Sequence, residues 1–381
     1  MKITDIRAAG LRGATPKGGW ANEIKPDDVI HTLITVHTDE GLVGVGSVFS
    51  SHELVRAALD VLAPVYLGAS ALEPDKLSQT MHQHTFWLGR GGAITHTVSG
   101  IDIAVWDILG QATGQPVSLL LGGRYRESVR PYASVLIEEP ATLADNLKML
   151  YSVGFRAFKI GWGHFGRVSE AADEAAVRAA RDAVGPDSLL AVDAGGSDAF
   201  WPGDRKWAAR TADMLGDYGV AWFEEALRPD DLEGYAQLRR TSKVAIAGGE
   251  VLTRRQDFTR FLTAGAFDIV QPDTTKGGGL SESRRVAWLA EELGARFIPH
   301  GWNTAVGLAA DLHLASALPH TELVEYRTGS AYIDELTIDG FELDGEGMLA
   351  VPSGPGLGIH LDPVALDRYS PSHGLFDGTV S

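Results

Sequence analysis

The 381-residue chain contains no cysteine. That removes thiolate nucleophiles, cysteine-ligated zinc, iron–sulfur clusters and disulfides from the chemistry it can perform. It also fits a cytoplasmic location, which is the one expected. Long apolar runs are missing too: no stretch approaches the ~20 residues of a membrane span. The opening MKITDIRAAGLRG is broken by charges and holds no apolar signal core. Basic charge is scarce, since 33 Lys and Arg stand against 50 Asp and Glu, a net charge of −17 with the histidines neutral. Phosphate backbones and anionic membranes need clustered cations, so neither nucleic acid nor membrane is expected as a partner. A small acidic ligand stays open, because a bound cation inverts the local field. The length suggests one large domain with a smaller one, large enough to fold without staples.

What is present begins with strands. ITDIRAAGLR and VIHTLITVHT are β-prone, and DEGLVGVGSV follows a turn at Asp39–Gly41. Helical patterns come next: residues 51–68, 72–86 and 98–114. Strands followed by helices read as an α+β unit over residues 1–125. From Tyr132 the character changes. Eight short apolar runs, YASVLI, FRAFKI, SLLAVD, VAWFE, KVAIAG, AFDIVQ, ARFIPH and TELVEY, alternate with helical patterns. They predict a (β/α)8 barrel over residues 126–349, with no obvious eighth helix. The turn-rich segment from about residue 339 is expected to pack back on the N-terminal unit and, from about 350 to 381, to complete it.

Functional groups of such a barrel sit at the C-terminal ends of its strands. The second run carries Lys159, the third ends in Asp193, the fourth in Glu224 and Glu225, and Glu250 follows the fifth. Asp273 follows the sixth, His300 ends the seventh, and Glu325 lies in the eighth. From Asp193 onward the steps are 31, 26, 23, 27 and 25 residues, about one βα unit each. Asp193, Glu224 and Glu250 would therefore converge, and three carboxylates cannot stay ionised together without a counter-charge. A hard divalent cation with oxygen ligands, most simply Mg2+, resolves the repulsion; with no thiolate or His pair, zinc fits less well. Asp273 beside His300 would orient the imidazole as a general base and then acid. Glu325 could serve a developing enolate oxygen if its pKa were raised.

These residues lie in motifs that resemble the enolase superfamily, mandelate racemase subgroup, over nearly the whole chain. The motifs are SGIDIAVWDILGQATGQPVSLLLGG (99–123), GFRAFKIG (154–161), AVDAG (191–195), WFEEAL (222–227), IAGGE (246–250), DIVQPDTTKGGG (268–279), IPHGWNTAVGLAA (298–310) and VPSGPGLGI (351–359). The resemblance implies an α+β capping domain over a modified TIM barrel, (β/α)7β-like. It implies Mg2+ held by Asp193, Glu224 and Glu250, with Glu224 rather than Glu225 at the ligand position. It implies His300 and Asp273 as the base dyad. It also implies an acid-sugar substrate and a homo-oligomer, an octamer among the options.

The resemblance has gaps. Family members often carry Lys-x-Lys at the end of the second strand, where this chain reads Lys159-Ile160-Gly161. The base on the opposite face of the substrate carbon is therefore missing, while Lys159 remains to contact the substrate carboxylate. His164 is a candidate replacement. An Asn often found two residues after the first metal ligand is Gly195 here. Trp20 and His52, on capping loops, and Trp302, beside the dyad, are substrate-binding candidates. One remaining base favours a hydro-lyase: His300 removes the proton alpha to the carboxylate, and the β-hydroxyl leaves via an enediolate. The alternatives are a cycloisomerase acting on a lactone or anhydro sugar acid, a racemase or epimerase, and, from another class, a non-catalytic sugar-acid binder.

Overall fold

The structure, a computed structural model, describes residues 1–18, 24–197 and 203–377. The N-terminal strands β1 (Ile3–Gly10), β2 (His31–Thr38) and β3 (Val43–Phe49) form an antiparallel sheet in sequence order. All eight residues of the central β2 are buried. Helices α1 (His52–Tyr66) and α2 (Pro74–His84) lead to α3 (Gly92–Thr113), whose middle is buried because β3 packs on one side of it and α1 and α2 pack on it too. The helix begins six residues before the expected Val98, in a glycine-rich segment that apolar periodicity does not mark. A short α4 (Val117–Leu120) ends the unit.

The eight apolar runs form eight strands. They are β4 (Ser128–Leu136), β5 (Ala157–Gly161), β6 (Leu189–Asp193), β7 (Trp222–Glu224), β8 (Ala245–Gly248), β9 (Ile269–Val270), β10 (Arg296–Phe297) and β11 (Leu323–Arg327). Seven helices separate them: α5 (Pro140–Ser152), α6 (Glu170–Val184), α7 (Arg205–Asp217), α8 (Leu232–Thr241), α9 (Arg254–Thr263), α10 (Gly279–Glu292) and α11 (Ala305–Ser316). Neighbouring strands pair in parallel in the order β10-β9-β8-β7-β6-β5-β4-β11. Only α12 (Ala331–Asp334) follows β11, so the barrel is of the (β/α)7β type. The chain then adds β12 (Leu349–Ala350) antiparallel to β4 and ends in α13 (Pro363–Tyr369). Arg7 donates to the carbonyls of Gly374 and Asp377, Thr35 to that of Leu375, and the Leu357 amide to Asp107. Residues 357–377 thus lie against the N-terminal unit.

The barrel interior is layered. Tyr132, Ala157, Ala191, Trp222, Ala247, Ile269 and Ile298 form one apolar layer inside it. Side chains repeat on one face every second residue of a strand. Two residues beyond Ala157, Ala191, Trp222 and Ile298 stand Lys159, Asp193, Glu224 and His300, and Gln271 follows Ile269 at the same interval. The apolar layer is the floor on which a polar layer sits. Among the described residues, no helix is long and apolar enough to cross a membrane.

Candidate active site

The register of the barrel explains which polar groups meet. Asp193 pairs with Glu224 across β6 and β7, and a parallel bridge continues the β9–β10 edge to Asp273 and His300. Asp193, Glu224 and Glu250 each offer a carboxylate oxygen within 4.8 Å of the others, and all three residues are buried. Neutral donors orient them. The Gly195 amide donates to Asp193 Oδ1 at 2.8 Å and the Trp162 indole to Oδ2 at 3.1 Å. Trp222 Nε1 and Gln271 Nε2 donate to Glu224 Oε2 at 2.9 and 2.8 Å.

Lys159 Nζ lies 2.6 Å from Glu224 Oε1, 3.0 Å from Glu325 Oε1 and 3.5 Å from Asp193 Oδ2. Burial would lower its pKa, but Glu224 and Glu325 outweigh burial and hold it charged. His300 Nδ1 is 2.7 Å from Asp273 Oδ2, and the Thr275 amide and hydroxyl donate to Asp273 Oδ1 at 2.7 and 2.5 Å. His300 Nε2 faces Glu250 Oε2 at 3.1 Å. Burial opposes a charge on the imidazole, yet Glu250, Glu325 and the Asp273 bond hold its pKa up at about 9.

Six buried carboxylates, Asp193, Glu224, Glu225, Glu250, Asp273 and Glu325, share this end of the barrel with Lys159, Lys276 and His300. The surplus of negative charge shows at Asp193, whose carboxyl is raised to about 8 by burial and by Glu224. Glu225 stands apart. Its backbone takes φ 48°, its Oε2 accepts from Ser197 at 2.8 Å, and burial with Glu250 and Asp193 pushes its carboxyl well up. The donor set left for a cation is all oxygen, three carboxylates on adjacent strands, with more negative charge around it than the resident cations balance. That set fits a hard divalent ion such as Mg2+ and suits zinc poorly.

One expectation is corrected. Glu325 is not a raised carboxyl able to donate: burial pushes it up, but Lys159 and His300 outweigh burial and hold it at about 2. It is ionised, and its Oε2 accepts the Gly301 amide at 2.9 Å. Trp302 lines the inner cavity with Lys159, Asp193, Glu250, His300 and Glu325. His164 lines a second, outer cavity and not the inner one that His300 lines. His52 begins α1, packs against Gly10 and lines neither cavity. Trp20 lies outside the described residues.

The sequence reading missed four groups. Lys276 Nζ lies 3.5 Å from Glu250 Oε1 and 3.6 Å from Asp273 Oδ2, one helical turn's spacing beyond Asp273. Gln271 and Arg327 stand two residues from Asp273 and Glu325, so the period of two along a strand could have found both. Trp162 had no sequence signal. It follows Gly161, and a Cβ at Gly161 would stand 2.6 Å from Asp193 Cβ. The position that carries the second lysine in the resembling pattern therefore has no room for a side chain. At Gly195 (φ 65°) a Cβ would meet the Trp162 ring at 2.8 Å. Trp162 fills the space over Gly195, and Asp193 itself fills the space at Gly161.

Comparison with known proteins gives the same picture. Residues 28–122 match the mandelate racemase / muconate lactonizing enzyme N-terminal domain, and residues 142–365 the enolase C-terminal domain-like family. The chain is 33% identical to D-galactarolactone cycloisomerase of Agrobacterium fabrum, over 97% of this chain and 99% of that protein. It is 32% identical to D-galactonate dehydratase of Ralstonia pickettii, over 87% and 88%. The crystal structure of 3,6-anhydro-D-galactonate cycloisomerase from Zobellia galactanivorans superposes with a TM-score of 0.87 at 30% identity, covering 98% of this chain and all of that one.

Proposed function

The chain belongs to the mandelate racemase / muconate lactonizing enzyme family of the enolase superfamily, and from that premise we propose that it is a Mg2+-dependent acid-sugar dehydratase. It is an enzyme of the lyase or isomerase kind, as its relatives are. In this reading residues 1–125, completed by about 350–381, cap a catalytic barrel of residues 126–349, and a homo-oligomer, an octamer included, is part of the same proposal.

Asp193, Glu224 and Glu250 would hold the ion. Bound there, Mg2+ supplies Lewis-acid stabilisation to a substrate carboxylate that gains negative charge as its alpha proton leaves. His300 would remove that proton through Nε2, the nitrogen free of Asp273, once a cation held by Glu250 offsets the carboxylate charge that keeps the ring protonated. Asp273 fixes the tautomer and stabilises the imidazolium. Lys159, held charged by Glu224 and Glu325, faces the same carboxylate and offsets part of its charge. The proton on His300 then passes to the β-hydroxyl, which leaves as water on the same face. The observation that carries this reading is the one-sided placement of bases. Among the described residues, His300 lines the inner cavity, while at Gly161, where a second base would stand, a side chain would run into Asp193. Racemisation needs groups on both faces.

A second reading is favoured by the cycloisomerase relatives, which align over almost their full length. There the same proton leaves, and a ring oxygen departs in place of water. One experiment tests both. With Mg2+ and a panel of acid sugars in deuterated water, wild type should wash in deuterium alpha to the carboxylate and release a 2-keto-3-deoxy acid, and His300→Asn should do neither. Exchange at the wild-type rate in His300→Asn would sink the dyad. Ring opening of a lactone or anhydro sugar without loss of water would move the assignment to the cycloisomerase.

A further inference from the structure

The inner cavity is about 30 Å³ and the outer one about 510 Å³, and they share Val135, Leu136 and Arg327. The inner space holds little more than a water-sized group. The outer cavity, reached past Arg327, offers the room for the rest of an acid sugar whose reacting end meets His300. Arg327 is two residues beyond Glu325 on β11, and its guanidinium lies 5.7 Å from the centre of the Trp302 ring. Its bonds go to main-chain carbonyls: Nη1 to Thr328 at 2.7 Å and Ser134 at 3.4 Å, Nη2 to Lys17 at 3.0 Å. Among the described residues it forms no ion pair with a carboxylate. The nearby Glu325 is engaged by Lys159. Arg126 and Arg181 likewise bond to main-chain carbonyls, but Arg327 lines both cavities. Nε and the second Nη2 hydrogen are left for a ligand. Two further groups stand at the same passage. Among the described residues the buried Trp302 Nε1 has no acceptor, and Lys17 adds a second cation to the outer wall. Glu138 and Glu139, on that wall too, are exposed, and among the described residues neither pairs with Arg327.

We propose that Arg327 is the contact for a second, distal carboxylate, and that the substrate is a six-carbon aldarate or its monolactone rather than an aldonate. The proposal rests on the acid-sugar reading above. With an aldarate, the far carboxylate is present throughout. With a monolactone it is created: the alpha proton goes to His300, the β-carbon–ring oxygen bond breaks, and the electron pair stays on that oxygen as part of the released carboxylate. The guanidinium then meets charge that develops during the reaction. Trp302 Nε1 donates to a hydroxyl between the two ends.

The test compares hexarates, their monolactones and hexonates of matched stereochemistry with Mg2+ in wild type, Arg327→Met and Arg327→Lys. Hexarates and hexonates differ only at the far carbon. Wild type should prefer a dicarboxylate or its monolactone over the matched hexonate by at least tenfold in kcat/KM. Arg327→Met should collapse that preference at least tenfold, the scale of one charged hydrogen-bonded pair, and Arg327→Lys should fall between. If Arg327 only clips the loop at Lys17 to β4 and β11, both substrate classes lose activity together and the ratio holds, which overturns the proposal and leaves the proposed function standing. Equal use of hexonates by wild type does the same. Failure of every acid sugar to exchange or react in wild type overturns the proposed function, and this inference with it.

Discussion

The Trp162 indole donates to Asp193 Oδ2 across 3.1 Å, from a backbone held at φ 58°. A non-glycine residue in the left-handed region costs on the order of 1–3 kcal/mol, and such strain persists where surrounding packing demands it. Here the demand is the ring's place over Gly195 and the bond to a carboxylate that must stay aimed at its neighbours.

Trp162→Phe keeps the ring and deletes the donor. One Asp193 oxygen then loses its neutral partner and turns more freely. Affinity for Mg2+, or for Mn2+ followed by electron paramagnetic resonance, should fall about tenfold, as expected for one hydrogen bond to a charged group. Unchanged metal affinity would show that the indole serves packing alone.

Gly161 offers a separate test of the one-sided site. Restoring the lysine pattern there should not create a racemase. A Cβ at this position meets Asp193 Cβ at 2.6 Å and the Asp193 carbonyl oxygen at 2.7 Å. Gly161→Ala alone should destabilise by ~1–3 kcal/mol, the usual cost of overpacking, and weaken the metal site with it. The unfolding midpoint and a metal titration read both. Gly161→Lys should follow Gly161→Ala with no gain in stereochemical inversion at the alpha carbon, and inversion above wild type would reject the steric argument.

Asp107 ties three segments together. It accepts from the Val45 amide at 3.0 Å, the Leu357 amide at 2.8 Å and Gln111 Nε2 at 2.9 Å, joining α3 to β3 and to the returning C-terminal segment. Burial nonetheless raises its carboxyl to about 6. Asp107→Ala leaves the buried Leu357 amide without its acceptor, worth ~1–3 kcal/mol, and the part-buried Val45 amide at a smaller cost. The unfolding midpoint should drop sharply, and limited proteolysis should cut first near the C-terminal end. A stable, protease-resistant variant would mean the segment is held by its apolar contacts alone.

Much of the site was legible because a barrel repeats. Asp193, Glu224, His300 and Glu325 each close or lie in an apolar run, so chain spacing alone brought them to one end. The strands themselves were legible for the same reason, while the early start of α3 at Gly92 was hidden by glycines that carry no periodicity. What spacing cannot show is three-dimensional compensation. That Trp162 would cover Gly195 depends on one positive φ, and that Lys159 would keep Glu325 ionised depends on a 3.0 Å contact across the β11–β4–β5 edge. The reach of His164 was equally invisible, because the turn after β5 decides which cavity it faces.

His313 sets an acid limit on the fold. It lies in α11, accepts the Ser118 amide on Nδ1 at 3.2 Å and meets the Leu357 carbonyl with Nε2 at 3.0 Å. The Ser118 bond needs a bare Nδ1 while Nε2 keeps its hydrogen for Leu357, so barrel, capping unit and C-terminal segment share one uncharged imidazole. Burial lowers its pKa to about 4, and the Arg124 charge works in the same sense. Between pH 6.5 and 4 the unfolded chain therefore binds a proton that the folded chain refuses, and stability falls with pH. The loss attributable to this ring is ~3 kcal/mol at most. His31 and His82, also lowered to about 4 by burial, add losses of the same sign. Asp102 and Asp107, raised to about 7 and about 6 by burial, act oppositely as the pH falls through those values. The difference between wild type and His313→Gln isolates the imidazole, because the amide titrates nowhere in this range. His313→Gln should melt below wild type at pH 7.5, where the neutral ring is the better partner, and the gap should close steadily from pH 6.5 to 4. A gap independent of pH would show that His313 is not the group being protonated.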